Sequence, residues 1–273
     1  MRTVVDRRPA PVVGRQARLE LVFRAADGVT RLAHAYAEPP LRVGRALTDG
    51  RGVHVILASS SPGIFGGDVF AQHIVLEPGA RVKLTSQSAL QVHPGADGGA
   101  ARLWSTFEIG GDAELRCHWD PLIPFAASRV HQQIDIRLAS SARLLWSDAF
   151  MAGREGRGER WQFSDLEHEL RVTRSAALEY LERYRLQPGE DCLRAPWTAA
   201  DCCYFGTTVA GGWPATECGA RELDEALNGR RDIHAAVDRL GPELLLARLA
   251  ATSGPPFHAA RERVLKFLRG ICP

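Results

Sequence analysis

Four stretches of this chain share one form: LEPGARVKL (76–84), IGGDAELRC (109–117), LASSARLLW (138–146) and VTRSAALEY (172–180). Each passes from an apolar residue through a short turn rich in Gly, Ser or Pro to an alanine, then enters a new strand. The alanines Ala80, Ala113, Ala142 and Ala176 are spaced by 33, 29 and 34 residues. A strand–turn–strand unit that returns at such an interval fits stacked β-layers, either a β-solenoid or a long meander.

The residues around these units have the period of a strand. In ARVKLTSQSALQV, Val82, Leu84, Ser86, Ser88, Leu90 and Val92 share one face, and Arg81, Lys83, Thr85 and Gln87 the other. That alternation predicts a half-buried strand. RLWSTFEI, AELRCHW, RVHQQIDIRL, ARLLWSDAF and ALEYLERYRL read in a similar way. The last third changes character. ARELDEALNG predicts a short helix near 219–228 that stops at Gly229, and PELLLARLAAT a buried strand. PPFHAARERVLKFLRG predicts a C-terminal helix near 256–269, with Phe257, Ala260, Val264, Phe267 and Leu268 on one stripe and Gly270 as its stop. No stretch of linker composition divides the chain, so the expectation is a single, mainly β domain over 1–273 with two helices near its end.

Composition narrows the function classes. The formal net charge is only +2 over 273 residues, which gives no general pull toward nucleic acid or an anionic membrane. Lys83 and Lys266 are the only lysines among 34 basic residues. The first residues carry charges without an apolar h-region, and no apolar run nears the roughly 18 residues of a membrane helix. The expectation is a cytoplasmic protein whose six cysteines, Cys117, Cys192, Cys202, Cys203, Cys218 and Cys272, are free thiols. They show no zinc-site spacing.

The stretch SSSPGIFGGD (59–68) has the glycines of a phosphate loop but not its context. VFAQHIVLEPG follows it and alternates as a strand, whereas a phosphate loop opens a helix. The stretch reads as a β corner in which Gly66 and Gly67 supply backbone freedom and Asp68 caps turn amides. No G-x-S-x-G occurs. In CHWDP the adjacent Cys117 and His118 point to opposite faces, so they do not form a nucleophile–base pair. The nine histidines are scattered, without an H-x-x-x-H. Glu167 and Glu169 flank His168 and share the opposite, solvated strand face. MAGREGRGERWQF (151–163) reads as a charge-rich loop suited to steering a partner. Taken alone, these residues describe a binding or scaffold protein.

Several segments, in order, resemble the UreD family (also called UreH) of urease accessory proteins. They are GVTRLAHAYAEPPLRVGRAL (28–47), SPGIFGGD (61–68), LEPGARVKLTSQSALQVHP (76–94) with Thr85 and Gln87 in place, and PLIPFAASRVHQQIDIRLASSARLLWSDAFMAGREGRGE (121–159). The last holds the family's G-R-x-x-x-G-E loop as Gly153, Arg154, Gly158 and Glu159. The resemblance implies a β-helix-like fold and a non-enzymatic maturation factor. It also implies binding to apo-urease, a UreF-like protein and a UreG-like GTPase in support of nickel insertion. No nucleic acid or membrane partner is implied. Nickel would be transient cargo, with no permanent cofactor. Scattered acids suit that task, because clustered His and Cys would hold the ion.

The candidate docking or nickel-path residues are Gly66, Gly67, Asp68, Thr85, Gln87, Arg154 and Glu159. Asp68 leads, on the expectation that a corner after two glycines leaves its carboxylate accessible. A competing expectation is an enzyme or metalloprotein with a convergent Cys/His metal site, drawn from His93, Cys117 and His131.

Overall fold

Strands with one apolar face must find a cover for it, and this chain covers its strands by coiling. The computed structural model describes residues 14–188, 201–228 and 231–271. Two β walls face each other. In the first, Gln16–Ala26, Val69–Leu76, Ala101–Ile109, Arg129–Leu138 and Asp165–Arg174 run parallel, and the antiparallel strands Val29–Ala37 and Ala177–Leu186 close its edges. In the second, Gly52–Ser59, Arg81–Ser86, Glu114–His118 and Arg143–Met151 run parallel. Antiparallel Tyr204–Gly211, Leu244–Ala251 and Ile233–Gly241 extend that wall. Three short strands, Ile64–Phe65, Leu90–His93 and Leu122–Pro124, stack in parallel and carry the chain back toward the first wall. The result is a β-solenoid of about 4 turns.

The alanine units make the corners of this coil. Ala80, Ala113 and Ala142 are wholly buried. Each N–H closes a turn onto the carbonyl three residues back, Glu77, Gly110 and Ala139, at 3.1 Å. Successive corners are also joined to one another: Glu114 N–H donates to Ala80 O at 2.8 Å and Arg143 N–H to Ala113 O at 2.9 Å. A methyl group fills the inside of the bend. The fourth unit differs. Ser175 and Ala176 are exposed and have φ of 48° and 66°, the left-handed pair of a tight hairpin. The chain there turns back antiparallel and ends the parallel coil.

The core lies between the walls, where Leu21, Phe23, Ile74, Phe107, Ile136 and Leu170 meet Val55, Leu84, Leu115, Leu144 and Trp146. A second apolar layer covers the other face of the second wall. Helices α1 (Glu217–Leu227) and α2 (Gly254–Ile271) lay Leu223, Leu227, Phe257, Val264 and Leu268 on Leu145, Ala210, Leu245 and Leu249. Thr216 caps α1 by accepting from Gly219 N–H at 3.0 Å. Gly229, the expected stop, lies outside the described residues, and Asn228 makes the cap. Gly270 does not stop α2, which runs to Ile271.

The stretch 81–93 is two strands rather than one. It breaks after Ser86, where the chain turns a corner and Ser86 Oγ accepts from Asp120 N–H at 2.7 Å. Cys117, Cys202, Cys203 and Cys218 are free, while Cys192 and Cys272 lie outside the described residues. Among the described residues no helix is long and apolar enough to cross a membrane.

Candidate functional site

The apolar interior is interrupted on six of the nine parallel wall strands by one polar side chain. On the first wall Gln72, Ser105, Gln132 and His168 occupy inward positions between apolar neighbours. On the second, Ser86 and Asp148 do the same, and Asp120 joins them from the connection after Glu114–His118. Two cavities open around them. One, of about 330 Å³, is lined by Gln72, Ser86, Gln87, Ser105, Asp120, Gln132 and Asp148 together with apolar side chains. The other, of about 420 Å³, is lined by Gln132, Asp148, His168, Glu182, Tyr184 and Arg248, again among apolar groups. Leu122, Gln132, Asp148 and Ala149 belong to both linings, so the cavities adjoin. No cysteine lines either one.

Several of these polar groups are held by partners. His168 Nδ1 donates to Gln132 Oε1 at 3.0 Å, and its ring stacks on Tyr184 with centroids 4.9 Å apart. That bond leaves Nε2 of the neutral ring as an acceptor. Trp146 Nε1 donates to Asp148 Oδ2 at 3.0 Å. Ser86 Oγ donates to Asp120 Oδ2 at 3.0 Å. Glu182 accepts from Thr207 Oγ1 at 3.3 Å and pairs with Arg248 at 3.2 Å. Burial, followed by the nearby Asp148 charge, pushes the Glu182 carboxyl above its ordinary range. Burial likewise raises the Tyr184 hydroxyl well above its usual value and pushes Tyr180 up to about 12. The interior therefore offers carboxylates, amide and hydroxyl oxygens and one imidazole at separate positions along two adjoining cavities roomy enough for water. Such donors suit a hydrated divalent cation that must be bound weakly and released.

The residues singled out in the sequence do not gather here, apart from Gln87. Asp68 is 7% exposed. Its Oδ1 accepts from Arg15 N–H at 2.7 Å and its Oδ2 from Phe65 N–H at 3.0 Å. The expectation of an accessible carboxylate is thus corrected: the side chain turns into the corner and closes it. Gly66 packs directly on the backbone of Gly95 and Gly99, and Gly67 has φ of 96°. Thr85 Oγ1 lies 2.9 Å from His54 Nε2, away from the cavities. Arg154 pairs with Glu159 through Nε–H to Oε2 at 2.7 Å and through its NH2 group to Oε1, and its guanidinium lies 3.8 Å over the Phe125 ring. Glu159 Oε2 also accepts from Ala126 N–H at 3.3 Å.

The Cys/His metal site is not assembled. His93 stacks on Phe65 and meets Phe125 edge-on, and Cys117 is buried in the core, where desolvation raises its thiol pKa. His131 lies on the outer face of the first wall. Among the described residues, the group of His, Cys, Asp and Glu ligand atoms within 4.8 Å of one another is His131, Asp165 and Glu167. Asp120, Asp148, His168 and Glu182 were missed in the sequence. The signal that finds them is a polar residue at an inward position, repeated from strand to strand.

Comparisons with known proteins add an independent line. The family model described as UreD urease accessory protein matches residues 15–272. A "Urease accessory protein UreD" of Sorangium cellulosum is 33% identical over 254 residues, covering 92% of this chain and 78% of that protein. One of Lysinibacillus sphaericus is 27% identical over 256 residues, covering 93% and 96%. A "Urease accessory protein UreH" of Helicobacter pylori is 27% identical over 214 residues, covering 78% and 79%.

Proposed function

We propose that this chain, which belongs to the UreD family of urease accessory proteins, conducts nickel through the polar cavities between its walls. The family gives it a role in urease maturation. The observation that carries the finer reading is the shared lining of the two cavities by Gln132 and Asp148. A cation in either space meets the same amide and carboxylate, so it exchanges ligands instead of leaving them all at once. Oxygen donors bind nickel less firmly than thiolates would, which favours onward transfer.

In this reading the chain catalyses no covalent step. It works in the cytoplasm as a scaffold between apo-urease and the UreF-like and UreG-like proteins, and nickel is cargo rather than a resident cofactor. Gln87, at the wall of the smaller cavity, is a path residue. The Arg154–Glu159 loop, which presents paired charges beside Phe125, is a docking element. The Gly66–Asp68 corner and Thr85 support the wall around that route.

Co-purification tests the scaffold role. The tagged chain is expressed with and without a UreF-like protein and urease subunits, and the complexes are weighed by light scattering. A stoichiometric complex that requires those partners is expected. A monomer that ignores both would contradict the proposal.

A further inference from the structure

The outer face of the first wall carries a group that the conduction reading does not use. His131 and Glu167 are register partners on neighbouring parallel strands, and Asp165 lies two residues before Glu167 on the same face. His131 Nε2 is 3.4 Å from Asp165 Oδ2, and His131 Nδ1 is 3.8 Å from Glu167 Oε2. All three ligand atoms lie within 4.8 Å of one another. Asp165 is 2% exposed at the base, while His131 and Glu167 stand at the rim with side chains 34% and 41% exposed. The group backs directly onto Gln132 and His168, the next register pair, which face the interior.

A cation already sits over these carboxylates. Arg185 donates from Nε to Asp165 Oδ1 and from NH2 to Asp165 Oδ2, both at 2.9 Å, and its Nε lies 3.1 Å from Glu167 Oε1. Its side chain is 53% exposed, so it can swing into solvent without opening the core.

We propose that His131, Asp165 and Glu167 form a surface site for a divalent first-row transition-metal ion, nickel or zinc, and that Arg185 is the tethered cation such an ion displaces. One imidazole and two carboxylates match the donor preference of those ions, whereas magnesium and calcium favour oxygen alone. Loading is an exchange: the metal ion sheds bound waters and forms coordinate bonds to the His131 nitrogen and to one oxygen each of Asp165 and Glu167, Arg185 leaves still protonated, and no covalent bond within the chain is made or broken. The site lies on the far side of the wall from the cavities and stands independently of the conduction reading.

The test is calorimetry and metal analysis on the full-length chain with Ni2+, Zn2+ and Mg2+. The variants are His131→Gln, Glu167→Gln, Arg185→Gln and the surface control Glu77→Gln, an acid outside both the cavities and this group. The expected result is one Ni2+ or Zn2+ equivalent that Glu77→Gln keeps and the first two variants lose. Arg185→Gln should bind about tenfold tighter, because removing the bidentate competitor returns roughly that much affinity. Survival of the equivalent in both ligand variants would overturn the proposal, as would unchanged affinity in Arg185→Gln or equal uptake of Mg2+. Arg185→Gln leaves the ligands in place, so it decides the matter even where a ligand variant fails to fold.

Discussion

His168 Nδ1 donates to Gln132 Oε1 across 3.0 Å and so ties two neighbouring parallel strands together where the cavities meet. The bond fixes the ring as the Nδ1-protonated tautomer and turns Nε2 into the free lone pair. Gln132→Leu removes the acceptor. Nitrogen NMR of the His168 ring is expected to show the Nδ1–H form in the wild type and a mixture in the variant. An unchanged tautomer would show that Gln132 does not hold the ring.

Asp68→Ala is expected to destabilise the fold, in contrast to the sequence-based expectation of an accessible acid. Both carboxylate oxygens serve backbone N–H groups, of Arg15 and Phe65, at a buried corner. Leaving two such donors unpartnered costs about 3 kcal/mol. Chemical denaturation measures it, and a loss below about 1 kcal/mol would show that water replaces the carboxylate freely.

Gly66→Ala tests the same corner from the backbone. A β-carbon there would overlap Gly99 O and Gly95 N, both main-chain atoms that cannot swing aside. The expected cost is about 2 kcal/mol or more, the scale of an overpacked interior, read from the denaturation midpoint.

Arg261, on the buried face of α2, is 2% exposed, with Nε donating to Ser147 Oγ at 2.9 Å and no hydrogen-bond partner for either terminal nitrogen among the described residues. Burial pushes its guanidinium down to about 10. Ser147 keeps Thr208 Oγ1 as a partner at 2.9 Å without it. Arg261→Met is therefore expected to be neutral or up to about 2 kcal/mol stabilising, since burial costs the guanidinium more than the nearby Asp148 and Asp120 charges return. A clear loss of thermal stability would contradict this.

Glu182 supplies a pH dependence whose sign is opposite to that of an ordinary paired acid. Its folded pKa is raised by burial and by Asp148, so between its unfolded and folded pKa values the native state binds more protons than the unfolded chain. Its contribution to stability therefore falls as pH rises through that window and recovers on acidification. Asp165 acts the other way. Burial raises it, but the Arg185 hydrogen bond and charge, with His131, outweigh burial and hold it below the usual range. Its stabilisation is lost as pH falls through the folded pKa. Denaturation across a pH series on the wild type and Glu182→Gln separates the two. The variant should lack the gain on mild acidification.

The coil itself was legible. A buried alanine after each turn reads out the corners at Ala80, Ala113 and Ala142, because local turn chemistry and layer stacking make the same demand. The fourth unit misled because composition alone does not distinguish a coil corner from the left-handed hairpin at Ser175–Ala176. The family was legible from ordered segments. The site was not. Asp68 looked accessible by position, yet its direction is set by the N–H of Arg15, 53 residues away. Asp148 and His168 looked like ordinary polar residues of their strands. Their meaning lies in the neighbouring strands, where Gln132 and Glu182 complete the lining, and that pairing depends on register.

The central claim is passage of nickel along the shared lining, and Asp148→Asn addresses it most directly. Asparagine keeps the size of the side chain and removes the charge common to both cavities. The measurement is nickel per urease active site after co-expression with the partner proteins, taken alongside the yield of assembled complex. The expected result is normal assembly with nickel loading reduced about tenfold, the effect of losing a charged contact. Normal loading in a normal complex would contradict the account.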